Sequence, residues 1–141
     1  MNYILDTCVL SETIKPRPDT ALVEWLQGQR PDGLFISTFS LGELRKGIDR
    51  LPPGIKRHDI QIWLSKLADS YQDRFLSFDE ECAMLWGSLC ACSESAGAPL
   101  PVIDSLIAAV SLRYGCTLIT RNERDYFQTG VPLLNPWSRI C

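Results

Sequence analysis

Four carboxylates stand where this chain could do chemistry. Asp6 interrupts the apolar run "YILDTCVL" and is followed at once by Thr7; Glu43 falls in "SLGELRKG", Asp104 in "PLPVIDSLIAA" and Asp125 in "TRNERDYF". Each acid has an ordinary structural explanation: an Asx-turn for Asp6, a capping box with Ser40 for Glu43, a helix N-terminus for Asp104 and a solvated loop charge for Asp125. Taken together they ask for more. Four anions brought to one place repel and raise one another's pKa unless a cation neutralises them, so a shared location would call for a metal.

The donor set narrows the metal. Oxygen-only sites without histidine or thiolate suit Mg²⁺ or Mn²⁺, and the reaction such an ion serves best is hydrolysis of a phosphodiester. His58 is the only histidine, which excludes a ribonuclease that uses two imidazoles as acid and base; in its basic surroundings it reads as a surface residue. The six cysteines, Cys8, Cys82, Cys90, Cys92, Cys116 and Cys141, form no Cys-x-x-Cys pair and read as small buried hydrophobes of a reducing compartment.

The acids must be positioned by regular elements. Short β-branched segments, Tyr3 to Leu5, Leu34 to Ile36, Phe75 to Leu76 and Thr117 to Ile119, read as strands, with a fifth at Val131 to Leu134. Helical periodicity marks Thr20 to Gln27, Thr38 to Arg50, Ile55 to Tyr71, Asp79 to Ser95 and Ile103 to Tyr114, the last ended by Gly115. This alternation predicts a three-layer α/β/α sandwich around a mainly parallel sheet of four or five strands. In such sheets functional groups gather beyond the carboxyl ends of the strands. Asp6 follows the first strand directly, Glu43 lies about one turn into the helix after the second, Asp104 opens the helix after "PLP", and Asp125 follows the fourth strand.

Length and composition bound the rest. A chain of 141 residues, 45% apolar and 22% charged, is expected to form one globular domain over 1–141. No apolar run approaches the ~20 residues that cross a bilayer, and the start "MNYILD" lacks a signal-peptide pattern, so a cytoplasmic location is expected. The net charge of −3 argues weakly against a polyanionic partner, yet Arg45, Lys46, Arg50, Lys56 and Arg57 face only Asp49 in their stretch, a local excess able to hold phosphates or simply to coat a helix.

The segments "YILDTCVLSE", "FISTFSLGELRKGIDRLP", "LPVIDSLIAAVSLRYGCTLITRNERDYF" and "VPLLNPW" together resemble the PIN-domain ribonucleases of the VapC/FitB-like toxin group, and the likeness runs through nearly the whole chain. The resemblance implies a compact α/β/α domain whose acids gather around Mg²⁺ or Mn²⁺ to cut RNA. By position Asp6 matches the first-strand aspartate, Glu43 the glutamate of the following helix motif and Asp104 the aspartate of "PVIDSLIAA". The group carries its fourth acid either directly after "TR" or a few residues later. This chain has Asn122 in the first place and Asp125 in the second, so Asp125 is assigned as the fourth carboxylate, with Asn122 supporting it by a hydrogen bond to water. Thr7 and Ser37, at strand ends, are expected to orient a ligand or water, or to serve as turn and cap residues. In the mechanism so implied, Asp6 and Asp104 bind the ion, Glu43 positions or deprotonates the attacking water and Asp125 completes the charge. Arg45 and Lys46 hold RNA from one rim, Arg121 and Arg124 from the other.

Toxins of this group pair as homodimers and are silenced by a small antitoxin, giving heterotetramers or larger assemblies, so both partners are expected here. Trp25, Trp63, Trp86 and Trp137 read mainly as core, with Trp137 closing the sheet edge. Two other readings stay open. One is a haloacid-dehalogenase-type phosphohydrolase with Asp6 as nucleophile, although Cys8 stands where that family's second aspartate belongs. The other is a PIN-like RNA-binding domain with a weak or disabled site.

Overall fold

The computed structural model describes residues 1–137. Five strands, β1 (Tyr3–Leu5), β2 (Leu34–Ser37), β3 (Phe75–Leu76), β4 (Thr117–Ile119) and β5 (Leu133–Leu134), form one sheet in the order β3-β2-β1-β4-β5. All four strand pairs are parallel. Parallel strands need both faces covered, and the central ones are apolar on both. Ile4 and Leu118 belong to one hydrophobic cluster, while their chain neighbours Leu5 and Ile119 belong to the other.

Helices α1 (Thr7–Thr13), α2 (Thr20–Gln27), α3 (Thr38–Asp49) and α4 (Ile55–Ser70) cover the Leu5 face with Val9, Leu10, Leu22, Leu44, Ile48 and Leu64. Helices α5 (Glu80–Ser95) and α6 (Val102–Tyr114) cover the Ile4 face with Cys82, Leu89, Ile107, Ala108 and Val110. The three-layer α/β/α arrangement expected from the sequence is therefore present. Most helices start where a short polar side chain accepts a backbone N–H: Asp19 caps α2, Ser37 caps α3 and Asp79 caps α5. Helix α6 stops at Gly115, whose φ of 64° is the left-handed turn that a Cβ disfavours.

The topology creates one crevice. From β1 the chain moves outward to β2 and β3, then crosses back to β4 on the other side of β1. The connections leave the carboxyl ends of β1 and β4 in opposite directions, which is where open α/β sheets bind ligands.

Some expectations shift. Helix α1 had no counterpart in the sequence reading, because seven residues are too few for periodicity to show. The fifth strand is confined to Leu133–Leu134. Cys82 and Cys116 are buried as expected, but Cys92 is exposed, and Cys141 lies outside the described residues. Trp137 packs in the cluster beneath α1–α4 and points its indole N–H at Glu12 Oε1, 3.4 Å away. His58 is exposed. Among the described residues no helix is long and apolar enough to cross a membrane.

Candidate active site

Asp6 is the residue at which β1 becomes α1, and it does two things. Its Oδ1 accepts the Thr7 backbone N–H at 2.8 Å, capping α1, so the Asx-type explanation holds. Its Oδ2 accepts the Thr120 hydroxyl at 2.8 Å and lies 3.3 Å from the Tyr126 hydroxyl and 3.8 Å from the Cys8 thiol. Only 4% of Asp6 is exposed. Burial pushes its carboxyl above the usual range, and the bonds from Thr120, Thr7 and Tyr126 oppose that rise by favouring the anion.

Asp104 comes to the same place from the first turn of α6. Its Oδ1 lies 3.1 Å from the Tyr126 hydroxyl, so one phenol bridges the two aspartates. Its pKa is pushed up to about 6, first by burial and then by the negative charge of Asp6, with smaller contributions from Asp125 and Glu43. The Tyr126 hydrogen bond works the other way. The other three acids all contribute to this rise, so each lies within electrostatic range of Asp104.

Tyr126 is 1% exposed and reaches the site from the turn after β4. Burial and the two aspartates raise its pKa, so the phenol stays protonated and acts as a donor. It has one proton for two acceptors. Cys8 is likewise held as a neutral thiol, chiefly by burial.

Glu43 lies on α3, half-buried, and is fixed from α1: the Thr7 hydroxyl donates to Glu43 Oε1 at 2.6 Å and stands 3.1 Å from the Ser40 hydroxyl. The capping-box reading of Glu43 with Ser40 gives way here, since Ser37 is the residue that caps α3. Ser37, fully buried, accepts the Phe39 N–H at 3.2 Å and caps α3. Asp125 ends a 3-10 turn, Glu123–Asp125, and is exposed, as is Asn122 before it. The Asn122 backbone N–H donates to Thr120 Oγ1 at 3.0 Å, tying this turn to the residue that holds Asp6.

None of Asp6, Glu43, Asp104 or Asp125 forms an ion pair among the described residues. Nor do any three acidic, histidine or cysteine side chains among them stand close enough together to hold a metal ion between them. What is present is a set of carboxylate oxygens with uncompensated charge and spare lone pairs, the chemistry of a site for a hard divalent cation.

The basic residues divide. Arg45 is turned along α3 to Asp49, 3.2 Å away, and Asp49 also takes Arg57 at 3.7 Å. Lys46 instead lines a groove of about 410 Å³ with Glu43, Phe39, Arg50 and Ile103. Arg121 and Arg124 line a second groove of about 600 Å³ with Asn122, Asp125 and Phe127. The Arg121 guanidinium lies 5.9 Å from the centre of the Trp137 ring.

Sequence reasoning missed Thr120 and Tyr126, and it paired Ser40 with Glu43 only as a capping box. Thr120 was open to the strand-end rule that singled out Thr7 and Ser37. Tyr126 carried no signal beyond adjacency to Asp125, because its bonds join turns and helices distant in sequence.

Residues 3–130 match the family model described as the PIN domain. The chain is 34% identical over 135 residues to the plasmid stability protein StbB of Pseudomonas syringae pv. tomato, covering 95% of this chain and 97% of the relative. It is 30% identical over 135 residues to the VapC ribonuclease Y4jK of Sinorhizobium fredii, covering 95% and 96%. The solved structure of FitAcB from Neisseria gonorrhoeae superposes with a TM-score of 0.90 at 29% identity, covering 96% of this chain and 98% of that one. A fold-spanning match of this kind leaves one conclusion: the chain belongs to the PIN domain family.

Proposed function

We propose that this protein is a Mg²⁺- or Mn²⁺-dependent endoribonuclease and the toxin member of a toxin–antitoxin pair. The observation that carries this reading is the meeting of Asp6 and Asp104 across the Tyr126 hydroxyl, with Asp125 and Glu43 close enough to raise the Asp104 pKa and no cation among the described residues paired to any of the four. Similarity to a VapC ribonuclease supports RNA as the substrate.

Asp6 and Asp104, whose carboxylates meet across the Tyr126 hydroxyl, would hold the ion. When bound, the ion supplies positive charge against the phosphate and eases ionisation of the attacking water. Glu43, held through Oε1 by the Thr7 hydroxyl, accepts the water's proton. Asp125 adds charge at the open side, and Asn122 hydrogen-bonds water there. Lys46, with Arg50, and Arg121 with Arg124 hold phosphates on the two rims; Arg45 is left out because Asp49 engages it. The resemblance to VapC/FitB-like toxins extends the proposal to a second copy of the chain and to a small antitoxin that blocks the site.

The test is cleavage of single-stranded RNA by the purified protein with Mn²⁺, with EDTA, and by Asp6→Asn. Cleavage should need the metal and disappear in D6N while the circular dichroism stays unchanged. Full activity in D6N or in EDTA would refute the assignment.

A further inference from the structure

Tyr126 and Phe127 are neighbours in the chain with opposite fates. Tyr126 is 1% exposed beneath the carboxylates, whereas Phe127 is 68% exposed. Phe127 therefore contributes little to the core. It lines a hollow of about 230 Å³ with Pro99, Pro101, Arg124, Asp125 and Gln128. The hollow thus shares Asp125 with the candidate metal centre.

We propose that this hollow is a nucleobase subsite in which Phe127 stacks on the unpaired base of a nucleotide bordering the cleaved phosphodiester. The inference rests on the nuclease reading above and names the part of the substrate that this side of the site takes. Three features carry it. An aromatic ring and two proline rings offer flat apolar faces, while the Gln128 amide and the Arg124 guanidinium offer hydrogen bonds to base edges, the combination by which single-stranded RNA is read. Arg124 and Arg121 share their groove with Glu123 and Asp125 but have no acidic partner within 4 Å among the described residues, so both guanidiniums are open to a phosphate of the bound strand. Asp125 and Phe127 are two residues apart, which limits their Cα separation to about 7 Å and puts the platform within reach of a nucleotide next to the reacting phosphate.

The test compares wild type, Phe127→Ala and Phe127→Trp on a short unstructured RNA of mixed sequence, with KM and kcat measured in Mn²⁺ and Mn²⁺ binding measured separately by electron paramagnetic resonance. Loss of one stacked base should raise KM in F127A by roughly 5- to 150-fold, more than kcat falls, and F127W should restore it. Mn²⁺ affinity should be the same in all three. An RNA with an abasic nucleotide beside the cleaved bond should raise KM for the wild type and add nothing in F127A. A KM within twofold of wild type for F127A, or failure of F127W to restore it, overturns the subsite. So does a change of association state in sedimentation with KM unchanged, which would make Phe127 a protein contact. Absence of RNA cleavage by the wild type would remove the nuclease reading and the subsite with it.

Discussion

Thr7 and Glu43, thirty-six positions apart, are joined by a hydrogen bond of 2.6 Å from the threonine hydroxyl to Oε1. The bond fastens the start of α1 to the middle of α3 and fixes the Glu43 carboxylate in place. Thr7→Val preserves shape and removes the donor. RNA cleavage should fall by about tenfold, the scale on which supporting partners of a metal site act, while Thr7→Ser keeps most activity. Equal rates for T7V and wild type at saturating Mn²⁺ would show that Glu43 needs no such anchor.

Tyr126→Phe removes the one donor shared by Asp6 and Asp104. That hydrogen bond lowers the pKa of both aspartates, so without it each holds its proton more firmly. Metal and proton compete for the same oxygens. The onset of Mn²⁺ binding should move to higher pH in Y126F, and raising Mn²⁺ should recover cleavage. A binding profile superimposable on wild type would mean that the bridge has no bearing on metal capture.

Asp104 also sets a pH dependence of stability in the metal-free protein. Its folded pKa of about 6 lies above the ordinary 3.8, so the folded state holds a proton that the unfolded state has released. The stability it contributes is complete below the unfolded value and is lost as pH rises through about 6. Half-exposed as Asp104 is, solvent screening reduces the effect to about 1–2 kcal/mol. Urea unfolding at pH about 4 and about 8 should show this loss in wild type and not in Asp104→Asn, and Mn²⁺ should offset it at the higher pH. Identical slopes for the two proteins would assign the effect elsewhere.

These tests use residues that differ in how visible they were beforehand. Asp6, Glu43 and Asp104 could be nominated because each stands at a fixed offset from a strand end or in a motif, and parallel sheets gather such positions at the carboxyl ends of their strands. Helical phase would also have separated Lys46 from Arg45: Glu43, Lys46 and Arg50 recur at three- and four-residue steps along one face, while Arg45 meets Asp49 one turn on. Thr120 and Tyr126 converge on Asp6 from more than a hundred positions away: the parallel pairing of Leu5 with Ile119 sets Thr120 beside Asp6, and the turn after β4 brings in Tyr126. Helix α1 escaped notice because its start is set by the Asp6 cap, and the same residue looked like a ligand.

Glu12 gives the opposite pH behaviour from Asp104 and tests the frame rather than the site. Its carboxylate is buried at the end of α1, where it accepts Lys15 Nζ at 3.0 Å, the Asp19 backbone N–H at 3.2 Å and the Trp137 indole N–H at 3.4 Å. The Lys15 hydrogen bond, aided by the Asp19 N–H, holds its pKa below the usual value against burial. Its stabilisation is therefore present above about 4.5 and is lost as pH falls through the lowered folded value. Glu12→Ala strands the Asp19 and Trp137 donors and should cost about 2–4 kcal/mol in urea unfolding at neutral pH. Glu12→Gln, which keeps an acceptor, should cost less and flatten the acid side of the stability profile. Mn²⁺ affinity of either folded variant should equal that of wild type, because Glu12 bonds to none of the four acids. Altered metal binding in E12Q would show instead that the frame around α1 and the carboxylate centre are energetically coupled.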